Sequence, residues 1–105
     1  MNQYIIDVVF NVIDCTCKIV LTNTPDNPIA DEMLLFSNVG NILVHWYHGP
    51  EGDTLGDFNG ITKRRLDEKR SEFKIDNGDC LMNFEACSEY ENKPLCVVKT
   101  INKKG

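Results

Sequence analysis

The stretch SEFKIDNGDCLMNFEA, residues 71–86, constrains the fold more than any other part of the chain. Asn77-Gly78 suits a two-residue type I′ hairpin turn because both residue types tolerate positive φ, and the flanks alternate apolar and polar with the period of a half-buried strand. Centred on that turn, Asp76 faces Asp79, Ile75 faces Cys80, Phe73 faces Met82 and Ser71 faces Phe84. One face of the hairpin then collects Phe73, Ile75, Cys80, Met82 and Phe84.

The rest of the chain reads as extended for the same reasons. There are nine Ile, eight Val and six Thr against two Ala and one Gln, a composition that favours strand over helix. Tyr4, Ile6, Val8, Phe10 and Val12 fall on one face of a first strand, and Cys15, Cys17, Ile19 and Leu21 repeat the pattern. These two stretches read as two strands or one long bent strand ending at TNTPDNP. The segment PLCVVKTI supplies a further strand, and residues 102–105 form a polar tail. Residues 28–36 are ambiguous. Asn27 and Pro28 are helix-start signals, yet Met33–Phe36 could equally be a strand turning at SNVGN into ILVHWYH. ITKRRLDEKRSEF, residues 61–73, is rich in helix formers but offers only Ile61, Leu66 and Phe73 as apolar anchors. The expected fold is mainly β, a small antiparallel β-sandwich or sheet with one or two short helices, with α+β as the alternative. With 105 residues, no repeat and no linker, the chain is expected to form a single domain, 1–105.

Charge and cysteines bound the function. The net charge is −5, and residues 1–61 hold eight acids against one basic residue, Lys18. That balance disfavours direct nucleic-acid binding, whose affinity comes mainly from Lys and Arg, and favours a protein with a basic surface as partner. Asp7, Asn11 and Asp14 interrupt the first apolar stretch, so neither a signal peptide nor a membrane span is expected. Five cysteines cannot all pair within one chain, which agrees with a reducing, cytoplasmic setting and with buried, unreactive thiols.

The candidate sites are few. In HWYHGPEGD, residues 45–53, strand alternation sends Val44, Trp46 and His48 to one face and His45 with Tyr47 to the other, so the two histidines do not share a metal. Trp46 is expected in the core. WYHGP resembles the opening of SH2 domains over five residues, but the phosphate-binding arginine strand of that family has no counterpart in EGDTLGDFNGITKRR. Asp53, Asp57 and Asn59 with Gly60 suggest a calcium loop, yet an EF-hand register would put Leu55 and Leu66 at the two key ligand positions. Cys15 and Cys17 share a strand side without the paired knuckles of a zinc site. There is no P-loop, GxGxxG, GxSxG or HExxH. KRRLDEKR carries Asp67 and Glu68 inside its basic run and reads as ordinary salt-bridged surface.

No enzyme activity, cofactor or metal is therefore expected. The leading expectation is a small acidic protein-binding module, which in size and acidity resembles bacterial immunity proteins and phage-encoded inhibitors. It would use Glu51, Asp53 and Asp57 in one loop and Asp26, Asp31 and Glu32 as a second cluster. The alternative is a carbohydrate- or small-ligand-binding β-sandwich using Trp46, Tyr47 and Asn59, which needs an exposed aromatic face.

Overall fold

Three phenylalanines from both sheets meet at the centre of the molecule. Phe36 stands edge-on to Phe84 at 4.9 Å and to Phe73 at 5.0 Å between ring centroids. The computed structural model describes residues 2–47 and 52–95. Among the described residues nine strands form two antiparallel sheets, β1 (Gln3–Asn11), β2 (Thr16–Thr22), β3 (Glu32–Ser37), β4 (Gly40–Trp46), β5 (Asp57–Phe58), β6 (Thr62–Arg65), β7 (Arg70–Asp76), β8 (Cys80–Cys87) and β9 (Glu91–Pro94). Their order is β5-β1-β2-β3-β9 in one sheet and β4-β8-β7-β6 in the other.

The core is what the alternation of these strands directs inward. Ile5, Cys17, Ile19, Leu21, Leu34 and Phe36 from the first sheet face Phe73, Ile75, Cys80, Met82, Phe84 and Ala86 from the second, all buried. Tyr90, on the segment crossing from β8 to β9, stacks on Phe36 at 4.6 Å and closes that flank of the sandwich.

The hairpin of residues 71–86 forms with the expected inner face but a different register. Phe73 opposes Phe84 and Ile75 opposes Met82. Asn77 donates its backbone N–H to the Cys80 carbonyl at 3.3 Å, so Gly78-Asp79 form the loop. Gly78 has φ 88°, as the first loop position of a type II′ turn requires. The Asn77 Oδ1 accepts from the N–H groups of Asp79 and Cys80, both at 2.9 Å, which pins Asn77 before the loop. The slip is two residues on one strand, an even number, so every side chain keeps its face.

Other expectations are corrected. Among the described residues there is no helix. Residues 32–37 form β3 because Leu34 and Phe36 reach the core only at a spacing of two. Residues 62–65 pair with β7, and the Asp67 carboxylate accepts from the N–H groups of Lys69 and Arg70, both at 2.8 Å, building the intervening turn. In β1 a register shift between Ile5 and Asp7 puts Ile5 inside, where Tyr4 and Ile6 were expected, while Val8 and Phe10 keep their inner positions. Val12 and Cys15 lie exposed in the β1–β2 turn, where Cys15 has φ 55°. Trp46 is not in the core, because β4 is the outermost strand of its sheet. The expected strand over PLCVVKTI has its first residue in β9 and residues 96–101 outside the described ones, as is the 102–105 tail.

The phenylalanine cluster yields a direct prediction. Phe84 is fully buried and touches Phe10, Phe36 and Phe73. Phe84→Ala should lower unfolding free energy by about 3–5 kcal/mol, the usual loss for a buried phenylalanine, measured by urea denaturation. A loss under about 1 kcal/mol would place the ring outside the core.

Candidate functional site

Five of the six predicted acids lie among the described residues, and hairpin topology brings all five to one end of the first sheet. Asp57 of β5 pairs with Tyr4, and Tyr4 pairs with Thr22. Beside Thr22 the Asp31 Oδ2 accepts from the Asn23 N–H at 2.7 Å and from the Thr22 hydroxyl at 3.5 Å. Glu32 opposes Leu21 and accepts from the Gln3 side-chain amide at 2.6 Å. Asp53 accepts from the Asn27 N–H at 3.2 Å, tying its loop to the β2–β3 loop beside Asp26. Glu51 lies outside the described residues.

The β7–β8 turn adds two acids that sequence reasoning did not select, Asp76 and Asp79. Asn77 links the sheets here, its Nδ2 donating to the Asp57 carbonyl at 3.0 Å and the Leu55 carbonyl at 3.5 Å. Gly56 permits this approach. It has φ 112°, and a Cβ at that position would stand 2.7 Å from Asn77 Nδ2. The Asn77-Gly78 signal was legible as a turn, but its role as a clip to a loop 20 residues away was not.

The ion pairs seen among the described residues are Arg64 with Glu72 at 2.9 Å and Arg70 with Glu85 at 3.5 Å. Arg70 also donates to the Asn38 carbonyl at 2.6 Å in the β3–β4 turn, at the opposite end of the sandwich from the acids. That end mixes the two signs: Lys69 and Arg70 lie beside Asp67 and Glu68. The Asp31, Glu32 and Asp53 carboxylates accept from neutral N–H and O–H donors, and no ion pair to them is seen among the described residues.

The second candidate region is an apolar cleft of about 190 Å³ on the flank between β1 and β4, lined by Ile5, Val8, Phe10, Val44, Trp46 and Met82 among others. Trp46 is 42% exposed there. Tyr47 does not join it. Its ring meets His45 edge-on at 4.9 Å, on the opposite side of the strand. Asn59 follows β5 on the first sheet, so the three residues of the ligand-binding alternative are not gathered. Cys80 also lines this cleft, its thiol pushed up by burial and then by the charges of Asp76 and Asp79. Asp53, Asp57 and Asn59 form no metal cluster, as no three metal-ligating side chains converge among the described residues. The described cysteines Cys15, Cys17, Cys80 and Cys87 are free thiols, Cys15 being exposed; Cys96 and His48 lie outside the described residues.

The architecture is that of a small antiparallel β-sandwich. No family model matches the chain, and no curated protein matches it. Among solved structures it is similar to an uncharacterized protein from Neisseria gonorrhoeae, with a TM-score of 0.61 and 18% identity over 90% of this chain and 92% of that one. At that identity the likeness is one of fold. Among the described residues no helix is long and apolar enough to cross a membrane.

Two predictions follow from this geometry. Gly56→Ala should destabilise by about 2 kcal/mol through positive φ and the clash with Asn77, whereas Gly52→Ala, with nothing within 4 Å, should lose less; equal urea midpoints would contradict the clip. Burial pushes the Cys17 thiol from 9.0 up to about 12. An acid whose folded pKa is raised is protonated in the fold while the unfolded chain ionises, so its stabilising effect is complete below pH 9 and is lost as pH climbs towards 12. Stability should fall above pH 9 in wild type and fall less in Cys17→Val, as read from thermal unfolding at stepped pH.

Proposed function

We propose that this chain is a protein-binding module that docks its acidic end on a basic surface of another protein. The observation that supports this most is the gathering of Asp26, Asp31, Glu32, Asp53 and Asp57, from the β2–β3 loop, the start of β3, the β4–β5 loop and β5, with no cation paired to them among the described residues. Loops held by a rigid framework are where binding groups sit, and a concentrated negative field raises the encounter rate with a cationic partner. The Asn77 clip holds the loop that carries Asp57 against the β7–β8 turn. Docking followed by occlusion is the inhibitor-like mechanism this arrangement suits.

The ligand-binding reading keeps one supporting observation, the half exposure of Trp46 beside an apolar cleft. Among the described residues of the lining, Asn77 is the only amide and the others are aliphatic, aromatic or sulfur-bearing, a chemistry that suits an apolar ligand better than a sugar.

The test isolates the partner by cross-linking in source cells and follows its association with wild type and with an Asp26→Asn, Asp53→Asn, Asp57→Asn variant by surface plasmon resonance. Asparagine removes charge and keeps an acceptor for Asn27. Association of wild type should slow as salt rises, and the variant should associate at least about tenfold more slowly at low salt with an unchanged circular dichroism spectrum. Equal rates at every salt concentration would refute the proposal.

A further inference from the structure

We propose that two copies of this chain pair through the outer edge of β4, antiparallel about a two-fold axis, and so close the apolar cleft beside Trp46. This surface is separate from the acidic end, and the two proposals stand or fall independently.

The edge of β4 differs from the other sheet edges of the described residues. An unpaired edge is a template for another strand, and proteins guard such edges with short length, charge or proline. β5 is two residues long. β6 carries Lys63, Arg64 and Arg65, and β9 carries Glu91, Lys93 and Pro94. β4, GNILVHW, has neither acid, lysine, arginine nor proline. A bulge at Gly40–Leu43 leaves Leu43–Trp46 in regular register with β8. Among the described residues β8 is the neighbour of β4 on one side, and no strand lies on the other.

The free side is ready to pair. Tyr47 donates to the Asp79 carbonyl at 2.9 Å, so Tyr47, His45 and Leu43 direct their backbone groups to β8. By alternation Val44 and Trp46 direct theirs outward. Ile42, Leu43, Val44, Trp46 and Tyr47 are 42–54% exposed, on both faces of the strand, where a monomer would have polar groups.

Self-complementarity points to a second copy as the occupant. Each chain carries −5, so pairing between copies is expected away from the acidic ends. β4 offers no charged side chain to oppose its two-fold mate, and an antiparallel strand is self-complementary about such an axis. Half-exposed Trp46 and Tyr47 present on the order of 200 Å² per copy. The three aliphatic residues add roughly as much, about 800 Å² over both copies, which is the size of a weak, transient contact. The dimer is therefore expected to dissociate on dilution.

Analytical ultracentrifugation from about 1 μM to about 1 mM spans the affinity range of such an interface. Trp46, the chain's one tryptophan, reports on the contact. Wild type should pass from 11.9 kDa to twice that mass as concentration rises, with Trp46 emission shifting to the blue in step. Val44→Pro removes an outward donor without removing a bond to β8, and His45→Lys places like charges beside the axis; each should remain monomeric. If Val44→Pro unfolds, His45→Lys decides. A wild type monomeric throughout, a dimer that persists in His45→Lys, or a dimer that leaves Trp46 emission unchanged would overturn the proposal. So would an association that salt abolishes, which would arise from the charged ends instead.

Discussion

The edge-on packing of Phe36 against Phe84 and Phe73 holds the two sheets face to face, and the other features depend on it. Ring edges directed at ring faces favour this arrangement beyond the apolar area they remove from water. With those rings fixed, β3 lies over β7 and β8, and β1 is carried towards β4, with Phe10 reaching Phe84 at 5.8 Å. One flank is then closed by Tyr90 and the other is left with an apolar cleft. The asymmetry between flanks is a consequence of strand order, since the segment crossing at one side brings an aromatic ring and β4 at the other has no outer neighbour among the described residues.

The same strand order gathers acids at one end of the molecule. The β2–β3 loop, the β4–β5 loop and the β7–β8 turn emerge at one end, and each carries acids there. The β3–β4 and β6–β7 turns emerge at the other, where Arg70 reaches across to Asn38. Asn77 and Gly56 make the acidic end a defined surface by joining the two sheets with side-chain hydrogen bonds. A side chain that satisfies backbone carbonyls of an irregular loop removes an unpaired-group penalty of about 1–3 kcal/mol, which is how a loop with no regular structure keeps its carboxylates in place.

Much of this was legible in the chain. The inner face of β7 and β8 could be read from Phe73, Ile75, Cys80, Met82 and Phe84, and it survived a two-residue register slip because face depends only on parity. The bulge in β1 was not legible, since IIDVVF offers apolar residues at both parities and either could face the core. The helix signals at Asn27 and Pro28 were outweighed by the burial that Leu34 and Phe36 gain as a strand. Trp46 was expected inside because aromatics usually are, but whether a strand is central or outermost is decided by its partners and not by its own residues. The acids of the candidate site could be named singly; that three connections would gather them at one end depended on topology.

Among the described residues β4 pairs with β8 on one side and presents an open apolar edge on the other. Native-state amide hydrogen exchange in dilute solution tests this residue by residue. The amides of Leu43, His45 and Tyr47 should be protected, and those of Val44 and Trp46 should exchange fast, an alternation that follows from the Tyr47 to Asp79 hydrogen bond and the β4–β8 register. Slow exchange at Val44 and Trp46 in dilute solution would mean that another part of the chain covers the edge, and would contradict the account.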